Sequence, residues 1–474
     1  MVFTSPTFLY AFLPLFLVAY FAMRGMVARN AVFVAFSLVF YAWGEPVFVG
    51  VLLASIVVNW LVGMRVADLP AGRRTAVMAL GLAWNLGILA VAKYADFVLE
   101  SVGTLIGADM PKTGWALPLG VSFFTFHAIS YLVDVYRGNA GAERSLLRLT
   151  LYITMFPQLV AGPIVRYRTI ARQLATRRVT LWRASTGTRI FVIGMAQKVL
   201  IANQLGLVAD VAFGLGDRLD TGEAWLGLAC YSLQIYYDFA GYSNMAIGLG
   251  FIVGLALPRN FDLPYTSQSI TEFWRRWHIS LSRWFRDYLY IPLGGNRRGR
   301  LRTYANLAIV FLLCGLWHGA SWNFVIWGAW YGVFLIVERA FLLGLLAESP
   351  RMLRNAYALA VVMLGWVWFR AETLPGATAY FRALAGGGGN GAVDAELAGL
   401  VTGYSGLVFV FAAILALTPG GAWKRLRRAS LPAAESGGGA VVRLAANTFW
   451  AALLGFSMAG IAGSGYNPFL YFRF

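Results

Sequence analysis

Apolar stretches long enough to cross a lipid bilayer recur from one end of this chain to the other. They include Phe8–Met23, Val47–Met64 and Leu444–Ala462. A helix needs about 20 apolar residues to cross the hydrocarbon core, where every backbone polar group must be satisfied internally. Short alternating strands typical of a barrel do not occur in the sequence. Because 59% of the residues are hydrophobic and only 13% are charged, we predict an all-α polytopic membrane protein.

Basic residues outnumber acidic ones. The formal net charge is +18, from 39 Lys and Arg against 21 Asp and Glu. These basic residues lie in short loops between apolar stretches, where they set orientation and contact anionic lipid. We therefore predict contact with the lipid bilayer and no binding of nucleic acid. The two cysteines, Cys230 and Cys314, lie inside apolar stretches without metal-ligand spacing, so we predict neither a disulfide nor a metal site.

The distribution of charge along the chain predicts its topology, because positively charged loops remain in the cytoplasm. Arginines follow the first apolar stretch, while an acidic segment, Asp96–Asp109, follows the fourth. Applied to the whole chain, the rule predicts about eleven spans plus two re-entrant segments in a single domain, residues 1–474. Both termini are predicted outside, and the first span is predicted to be retained. The Gly-rich segment Gly386–Glu396 is predicted to be a flexible external loop, and Ser430–Gly439 a cytoplasmic linker.

One apolar stretch, Leu149–Val165, has basic residues on both sides, so it cannot cross the membrane once. It is interrupted by Pro157, Gly162 and Pro163. Irregular backbone at membrane depth is tolerated where it is buried in protein or lines a wet cavity. We therefore predict a re-entrant hairpin beside a cavity open to the cytoplasm. A longer stretch, Ala224–Leu257, carries Asp238 at predicted membrane depth, and we expect this carboxylate to face a polar interior or a kink.

The segment Thr271–Trp322 is neither an ordinary span nor a soluble helix. Its first half interleaves aromatic side chains with eight arginines: Arg275, Arg276, Arg283, Arg286, Arg297, Arg298, Arg300 and Arg302. We predict an amphipathic or re-entrant segment, with aromatic rings at headgroup level and basic groups in water or on phosphates. The apolar run Tyr304–Leu316 then leads to His318. An ionisable side chain in such apolar surroundings is costly, which indicates a functional site.

The chain has three histidines, His127, His278 and His318. We predict a structural role for His127, bonded to a nearby backbone carbonyl. His318 is the strongest catalytic candidate, since imidazole titrates near neutrality and accepts a proton from a hydroxyl. Gly315 and Gly319 beside it would allow close approach of another backbone or a ligand. His278 and His318 are 40 positions apart, so only the fold could bring them together.

Long motifs stand in a characteristic order along the chain. They are MVFTSPTFLYAFLPLFLVAYF, SFFTFHAISYLVDVYRG, MFPQLVAGPIVRY, YYDFAGYSNMAIGLG, FWRRWHISLSRWFRDYLYIPLGGNRRG and LLCGLWHGASWNFVIWGAWYG. Together they cover nearly the whole chain, and they resemble the membrane-bound O-acyltransferase (MBOAT) family, most closely its alginate O-acetyltransferase branch. The resemblance implies a ring of tilted helices around a thinned central funnel or tunnel. It also implies that His318 is the catalytic histidine and that His278 occupies the second characteristic polar position.

The same resemblance implies a substrate donor rather than a permanently bound cofactor. Family members with external acceptors move an acyl group from a cytoplasmic thioester to a hydroxyl outside, so we expect acetyl-CoA or another acetyl thioester. The phosphates of a CoA-type donor would suit the basic segment. The predicted donor site consists of Arg275, Arg276, Arg283, Trp277 and Asn296. Contact of these groups with lipid headgroups is the alternative interpretation.

The predicted mechanism is acyl transfer with His318 as general base. His278 would position the donor or polarise its carbonyl, and Asn306 and Asn323 are candidate donors to the oxyanion. The resemblance implies exopolysaccharide O-acetylation at the bacterial inner membrane with a periplasmic partner protein. Acetylation of cellulose or peptidoglycan and D-alanyl transfer to teichoic acid are alternatives within the family. A polysaccharide or acyl transporter, or a scaffold of an export complex, are alternatives from other classes.

Overall fold

The computed structural model describes residues 1–114, 118–389, 391, 393–423, 439–463 and 465–468. These residues form helices and connections without a β-strand. Among the described residues, seven helical segments are long and apolar enough to cross a membrane: Val49–Asp68, Ala71–Ile106, Leu181–Gly214, Arg300–His318, Trp322–Glu348, Arg351–Arg370 and Leu444–Gly463. Shorter apolar helices occur at Phe8–Ala22, Met26–Ala42, Val121–Tyr136 and Gly403–Leu417. The prediction of an all-α polytopic membrane protein is confirmed, whereas the count of eleven spans stays a prediction.

The chain divides into two compact units, each built from segments that are separated in sequence. Unit 1 comprises Met1–Phe191, Ser243–Arg259 and Arg286–Tyr288, and unit 2 comprises Val192–Tyr242, Asn260–Phe285 and Leu289–Phe474. Four of the five boundaries fall inside continuous helical segments, whereas the boundary between Arg259 and Asn260 falls in a non-helical connection. The prediction of a single domain over residues 1–474 is not tested by this division.

Unit 1 contains the N-terminal helices. After a π-helical turn at Phe8–Phe12, its helices are α1 (Leu13–Ala22), α2 (Met26–Ala42), α3 (Val49–Asp68), α4 (Ala71–Ile106), α5 (Val121–Tyr136), α6 (Leu146–Thr154), α7 (Phe156–Leu159), α8 (Tyr167–Ala175) and the first part of α9 (Leu181–Ala196). Asn59 of α3 and Asn85 of α4 exchange amide hydrogen bonds of 3.1 and 2.7 Å in the buried interior. Such pairs hold apolar helices together where water is absent.

Unit 2 contains the helices that carry His278 and His318. They are the end of α9 with the π-helical Gln197–Ala202, α10 (Asn203–Gly214), α11 (Thr221–Ile252, shared with unit 1), α12 (Ile270–Arg276), α13 (Ile279–Phe285), α14 (Arg300–His318), α15 (Trp322–Val337), α16 (Leu343–Glu348), α17 (Arg351–Arg370), α18 (Leu374–Leu384), α19 (Ala395–Leu400), α20 (Gly403–Leu417) and α21 (Gly439–Gly463). A π-helical turn, Glu338–Leu342, joins α15 to α16. The predicted linker Ser430–Gly439 lies outside the described residues except for its last position.

The predicted break within Leu149–Val165 is present in unit 1. At about 1.5 Å per residue, the 9-residue α6 extends only about 14 Å, too short to cross a bilayer. The next helix, α7, has 4 residues, and its Phe156 ring packs against buried phenyl rings at centroid distances of 5.1–6.3 Å: Phe3, Phe8, Phe12, Phe16, Phe33 and Phe40. The irregular backbone is therefore buried in protein. Its depth in a bilayer stays a prediction.

Basic residues around this broken segment are held by specific partners in unit 1. Asp287 binds the guanidinium groups of Arg166 and Arg168, and its backbone carbonyl accepts a hydrogen bond from Arg137 at 2.8 Å. Burial alone would raise the pKa of the Asp287 carboxyl. The hydrogen bond and charge of Arg286, together with Arg166 and Arg168, outweigh burial and hold that pKa below its usual value. Arg166 and Arg168, which follow the broken segment, therefore belong to an internal ion-pair network.

The predicted polar position in the middle of α11 is explained by an ion pair. The carboxylate of Asp238 lies 2.8 Å from the Lys198 ammonium, and both side chains are almost completely buried. α11 continues without a break from Thr221 to Ile252. Of the two expected surroundings of Asp238, a polar interior or a kink, the ion pair with Lys198 supports the polar interior.

The segment predicted as a flexible external loop is shorter than expected and anchored within unit 2. Its C-terminal end already belongs to α19, and α18 precedes it. The backbone N–H of Asp394 donates to Glu223 at 2.6 Å, and the Asp394 carboxylate lies 3.2 Å from Arg218. Asp394 also caps α19 through the N–H groups of Glu396 and Leu397. These contacts restrain the part of the loop that the structure describes.

Candidate active site

His318 is the last residue of α14, and a tight helical hairpin fixes its position. α14 and α15 approach so closely that a Cβ atom at Gly315 would lie 2.1 Å from the Phe324 carbonyl oxygen. A Cβ atom at Gly328 would lie 2.3 Å from the Phe311 carbonyl oxygen. Small residues at helix interfaces permit this close backbone approach. The predicted role of Gly315 is confirmed, and the approaching group is the backbone of α15.

The imidazole of His318 is surrounded by aromatic rings. Its centroid lies 4.8 Å from Trp317, 4.9 Å from Trp327 and 5.1 Å from Phe369. All three rings meet the imidazole edge-on, and His318 is only 6% exposed. Such a site excludes most water, which strengthens any polar interaction made within it.

His278 occupies the joint between α12 and α13, and its backbone is unusual. It has φ of +42°, a left-handed conformation that is uncommon for residues other than glycine. Such conformations cost about 1–3 kcal/mol and are concentrated at functional sites. The side chain is fully buried, with Phe239 edge-on at 4.6 Å and Nδ1 at 3.1 Å from the Asn260 side-chain oxygen. The surrounding contacts therefore stabilise a locally strained histidine.

The fold brings the two histidines to the same tryptophan. The ring of Trp317 lies 6.3 Å from His278 and 4.8 Å from His318. Both imidazoles thus lie near one indole within unit 2, although 40 positions separate them in sequence. By contrast, His127 lies in unit 1, fully buried, with Nε2 at 3.4 Å from the Val165 backbone nitrogen. His127 is bound to the backbone as predicted, through an N–H group rather than a carbonyl.

The residues of the predicted donor site differ in their accessibility. Arg275, Arg283 and Asn296 are exposed. Arg276 is bound by Glu272 at 2.7 Å, with a further hydrogen bond to the Asp262 carbonyl. Trp277 is buried, stacked on Phe273 at 5.4 Å and close to Trp366 at 4.9 Å. The guanidinium groups of Arg275 and Arg283 are thus exposed, whereas Trp277 lies in the aromatic core that supports His278. Binding of a donor by these groups stays a prediction.

The structure separates one of the two candidate oxyanion donors, Asn306, from His318. Asn306 lies 12 positions before His318 on the same helix, which corresponds to about 18 Å along the axis. Its amide donates to the carbonyl of Gly295 at 2.9 Å and so fixes the loop before α14. The amide of Asn323 donates to the Ala371 carbonyl at 2.6 Å. For Asn306, proximity in sequence was an insufficient basis, because a helix extends residues apart. The oxyanion role of Asn323 stays a prediction.

Two residues that sequence reasoning missed position the segment around His278. Asn260 bonds the histidine side chain, as described above. Glu338 is fully buried and accepts hydrogen bonds from the N–H groups of Ile270 and Thr271 at 2.5 and 2.8 Å. The hydroxyls of Thr271 and Tyr357 also donate to its carboxylate. An acidic residue inside an apolar stretch was the available signal for Glu338, whereas no local pattern relates Asn260 to His278.

Comparison with known proteins shows the family to which the chain is related. The profile of the membrane-bound O-acyltransferase family matches residues 137–371, which include both histidines, Asn260 and Glu338. A probable alginate O-acetylase of Azotobacter vinelandii is 45% identical over 392 residues, covering 81% of this chain and 78% of that protein. The chain belongs to the membrane-bound O-acyltransferase family. The predicted family and the predicted enzyme class, an O-acetyltransferase of the MBOAT type, are therefore confirmed.

Two further relatives extend the comparison. A probable alginate O-acetylase of Pseudomonas putida is 39% identical over 491 residues and covers the full length of both chains. A peptidoglycan O-acetyltransferase of Helicobacter pylori is 35% identical over 422 residues, covering 81% of this chain and 80% of that protein. The similarity of this chain to membrane-bound acetyltransferases thus extends well beyond the residues matched by the family profile.

Proposed function

We propose that this protein transfers an acetyl group from a cytoplasmic thioester to a hydroxyl of an extracytoplasmic, alginate-like polysaccharide. The observation that carries the proposal is the pair of buried histidines whose rings both lie near that of Trp317. They lie within the part of the chain that matches an acyltransferase family. Relatives named alginate O-acetylase support the acetyl group and the class of acceptor.

His318 is the proposed general base. It removes the proton from the acceptor hydroxyl as the hydroxyl oxygen attacks the thioester carbonyl carbon. The C–S bond then breaks, and the proton passes from the imidazole to the departing thiolate, so the histidine is regenerated. A positioned general base contributes about 10²–10⁴-fold to the rate. The aromatic rings around His318 would exclude water that competes with the acceptor hydroxyl.

The ends of α14 and α17 support a direction for this transfer. The His318–Phe369 contact means that the C-terminal ends of both helices lie together. Their N-terminal ends begin at Arg300 and Arg351, and α14 extends about 28 Å. Since basic ends remain in the cytoplasm, the donor would approach past the exposed Arg275 and Arg283. The acceptor would approach His318 from the opposite side.

The protein would lie in the bacterial inner membrane with both termini outside. A separate periplasmic acetyltransferase or acceptor protein would complete modification of the polysaccharide, and acetyl-CoA or an acetylated carrier protein would supply the acetyl group. Peptidoglycan is the second candidate acceptor, since one relative that covers most of the chain is named a peptidoglycan O-acetyltransferase.

The test is thioester turnover by the purified protein in lipid nanodiscs. Acetyl-CoA labelled in the acetyl group is supplied with unacetylated alginate oligosaccharide, with and without candidate periplasmic partners. Wild-type protein is expected to release CoA and transfer label, and His318→Ala is expected to lower turnover by about 10²–10⁴-fold. Substituting peptidoglycan fragments for the oligosaccharide distinguishes the two candidate acceptors.

Controls separate loss of chemistry from loss of structure. His127→Gln changes a histidine of the other unit and is expected to leave turnover far higher than His318→Ala does. Folding of each variant is compared by thermal unfolding. Equal turnover in wild type and folded His318→Ala would contradict the role of His318. Passage of intact substrate across a vesicle membrane, without thioester consumption, would indicate a transporter instead.

A further inference from the structure

The side-chain oxygen of Asn260, beside His278, contacts several hydrogen-bond donors. It accepts a hydrogen bond from the Ser280 backbone N–H at 3.2 Å and from the Ser280 hydroxyl at 2.9 Å. The Nδ1 atom of His278 lies 3.1 Å from the same oxygen. All three residues are buried, with exposed fractions of 4% or less. The chemistry of these contacts determines which imidazole nitrogen carries the proton.

The backbone of Ser280 settles the orientation of the Asn260 amide. A backbone N–H can only donate, so the Asn260 atom facing it must be the oxygen rather than the amide nitrogen. That oxygen can only accept, so the His278 Nδ1 atom beside it must carry a proton. A neutral imidazole has one protonated nitrogen, which leaves the lone pair on Nε2. The tautomer of His278 therefore follows from the Ser280 backbone N–H, which can only donate a hydrogen bond.

We propose that Asn260 is a positioning residue that holds His278 in the Nδ1–H tautomer and thereby makes Nε2 a hydrogen-bond acceptor in acyl transfer. This inference rests on the proposed function for its catalytic meaning. In its neutral form, His278 then cannot donate a hydrogen bond from Nε2 to the thioester carbonyl. Its partner must instead be a donor, such as the acceptor hydroxyl or an amide N–H of the acyl donor. His278 would therefore accept a hydrogen bond through Nε2, whereas one role predicted from the sequence was to polarise the thioester carbonyl.

The backbone around His278 keeps this arrangement rigid. The carbonyl oxygen of Asn260 accepts a hydrogen bond from the Ile279 N–H at 2.9 Å, so Asn260 binds the segment through both its backbone and its side chain. His278 itself is held at φ of +42° between two short helices. Phe239 and Trp317 limit the rotation of its ring. An outer hydrogen bond that fixes the tautomer and orientation of an imidazole is a recurrent device of catalytic histidines.

The state of His278 is consistent with an accepting role at physiological pH. The imidazole is completely buried, and burial lowers the pKa of His278 to about 3. Phe239 and Trp317 contact its ring, Asn260 and Ser280 contact Nδ1, and none of these four side chains carries a charge. The imidazole is thus neutral at pH 7, and its proton acceptor is Nε2.

The tautomer is directly measurable because the chain has only three histidines. Protein labelled with ¹⁵N-histidine is incorporated in nanodiscs, and the Nδ1 and Nε2 resonances are assigned from the single variants His127→Gln, His278→Gln and His318→Gln. The expected spectrum of His278 has a protonated Nδ1 and an unprotonated Nε2. An Nε2–H tautomer in the wild-type protein would overturn the proposal, without any substitution at Asn260.

Substitutions at the two neighbouring positions then separate positioning from structure. Asn260→Leu removes the accepting oxygen and is expected to release the tautomer and to lower kcat at least tenfold with little change in the donor KM. Asn260→Asp restores an accepting oxygen and is expected to restore Nδ1 protonation. Ser280→Ala, the matched control, removes a donor to the same oxygen and is expected to retain the Nδ1–H signal of His278. Retention of that signal in folded Asn260→Leu would also overturn the proposal.

The positioning role of Asn260 and the proposed acetyl transfer can be refuted separately. Thioester turnover without the expected tautomer would refute the positioning role alone. The expected tautomer in a protein that consumes no thioester under any condition would refute the proposed function, while the Asn260–His278 geometry would stand. Should Asn260→Leu fail to fold, the wild-type spectrum and the Asn260→Asp and Ser280→Ala variants still decide the question.

Discussion

At Gly315, a single absent methyl group determines how closely α14 and α15 pack and where His318 lies. A Cβ atom there would be 2.1 Å from the Phe324 carbonyl oxygen, far inside van der Waals contact. We expect Gly315→Ala to push the helices apart, to lower stability by about 1–3 kcal/mol and to reduce acyl-transfer kcat, because His318 would move with the end of α14. Thermal unfolding in detergent and turnover in nanodiscs measure the two effects.

A second glycine of the same interface provides the control. At Gly332 of α15 the nearest atom to an added Cβ, the Phe311 Cβ, is 3.6 Å away, an ordinary contact distance. Gly332→Ala is therefore expected to leave both unfolding temperature and turnover close to wild type. If Gly315→Ala and Gly332→Ala behaved alike, close packing of the hairpin would not be what positions His318.

Glu338 is the second residue at which one substitution should have a defined effect. Its carboxylate accepts hydrogen bonds from two backbone N–H groups at the start of α12 and from two hydroxyls. In Glu338→Gln, an amide NH₂ would replace one accepting oxygen and face a donor. We expect a loss of about 1–3 kcal/mol in stability and faster hydrogen exchange at Ile270 and Thr271.

The exposed Glu348 at the end of α16 is the matched control for this change of charge. Glu348→Gln alters the net charge in the same way but touches no helix N-terminus, so its exchange rates should match wild type. Unchanged protection of Ile270 and Thr271 in Glu338→Gln would mean that α12 is held in place by its aromatic contacts instead. The Phe273 and Trp274 rings of α12 provide such contacts with Tyr331.

At the level of elements, apolar length and charge predicted most of the helices because these patterns reflect the bilayer directly. The break after α6 was also predictable, since Pro157 and flanking arginines mark it in sequence. The short helices α18 and α19 were missed. The helix α19 begins inside the Gly-rich segment, whose composition gives no helical signal. Asp394 stabilises α19 as its N-cap, and that cap depends on the local backbone conformation.

The candidate site was only partly predictable for a related reason. His278 and His318 were identified from motifs, but their shared contact with Trp317 arises from packing of α14 against the α12–α13 joint. Asn260 precedes His278 by 18 positions, across a turn and a short helix, so no periodic pattern joins them. Conversely, Asn306 shares a helix with His318, yet the rise of that helix separates the two side chains. Proximity in sequence is therefore a poor guide to proximity in the folded chain.

For the whole molecule, the proposed transfer requires that the arginine-rich end of α14 and the Gly-rich segment face opposite sides of the membrane. Cysteine labelling tests this orientation cleanly, since native Cys230 and Cys314 are only 2% and 5% exposed. The substitutions Asn296→Cys and Val393→Cys introduce thiols at exposed positions. A membrane-impermeant maleimide is expected to label Val393→Cys in intact cells whose outer membrane has been permeabilised, and Asn296→Cys only in inverted vesicles.

The unsubstituted protein is the control, and its buried thiols should react only after denaturation. The expectation follows from the positive-inside rule, because Arg297, Arg298, Arg300 and Arg302 surround Asn296 in sequence. Labelling of both introduced cysteines from one side would contradict an odd number of membrane crossings between them. Labelling with the two sides exchanged would place the basic segment outside, where a cytoplasmic thioester could not reach it. Either result would require the donor and acceptor approaches to His318 to be reassigned.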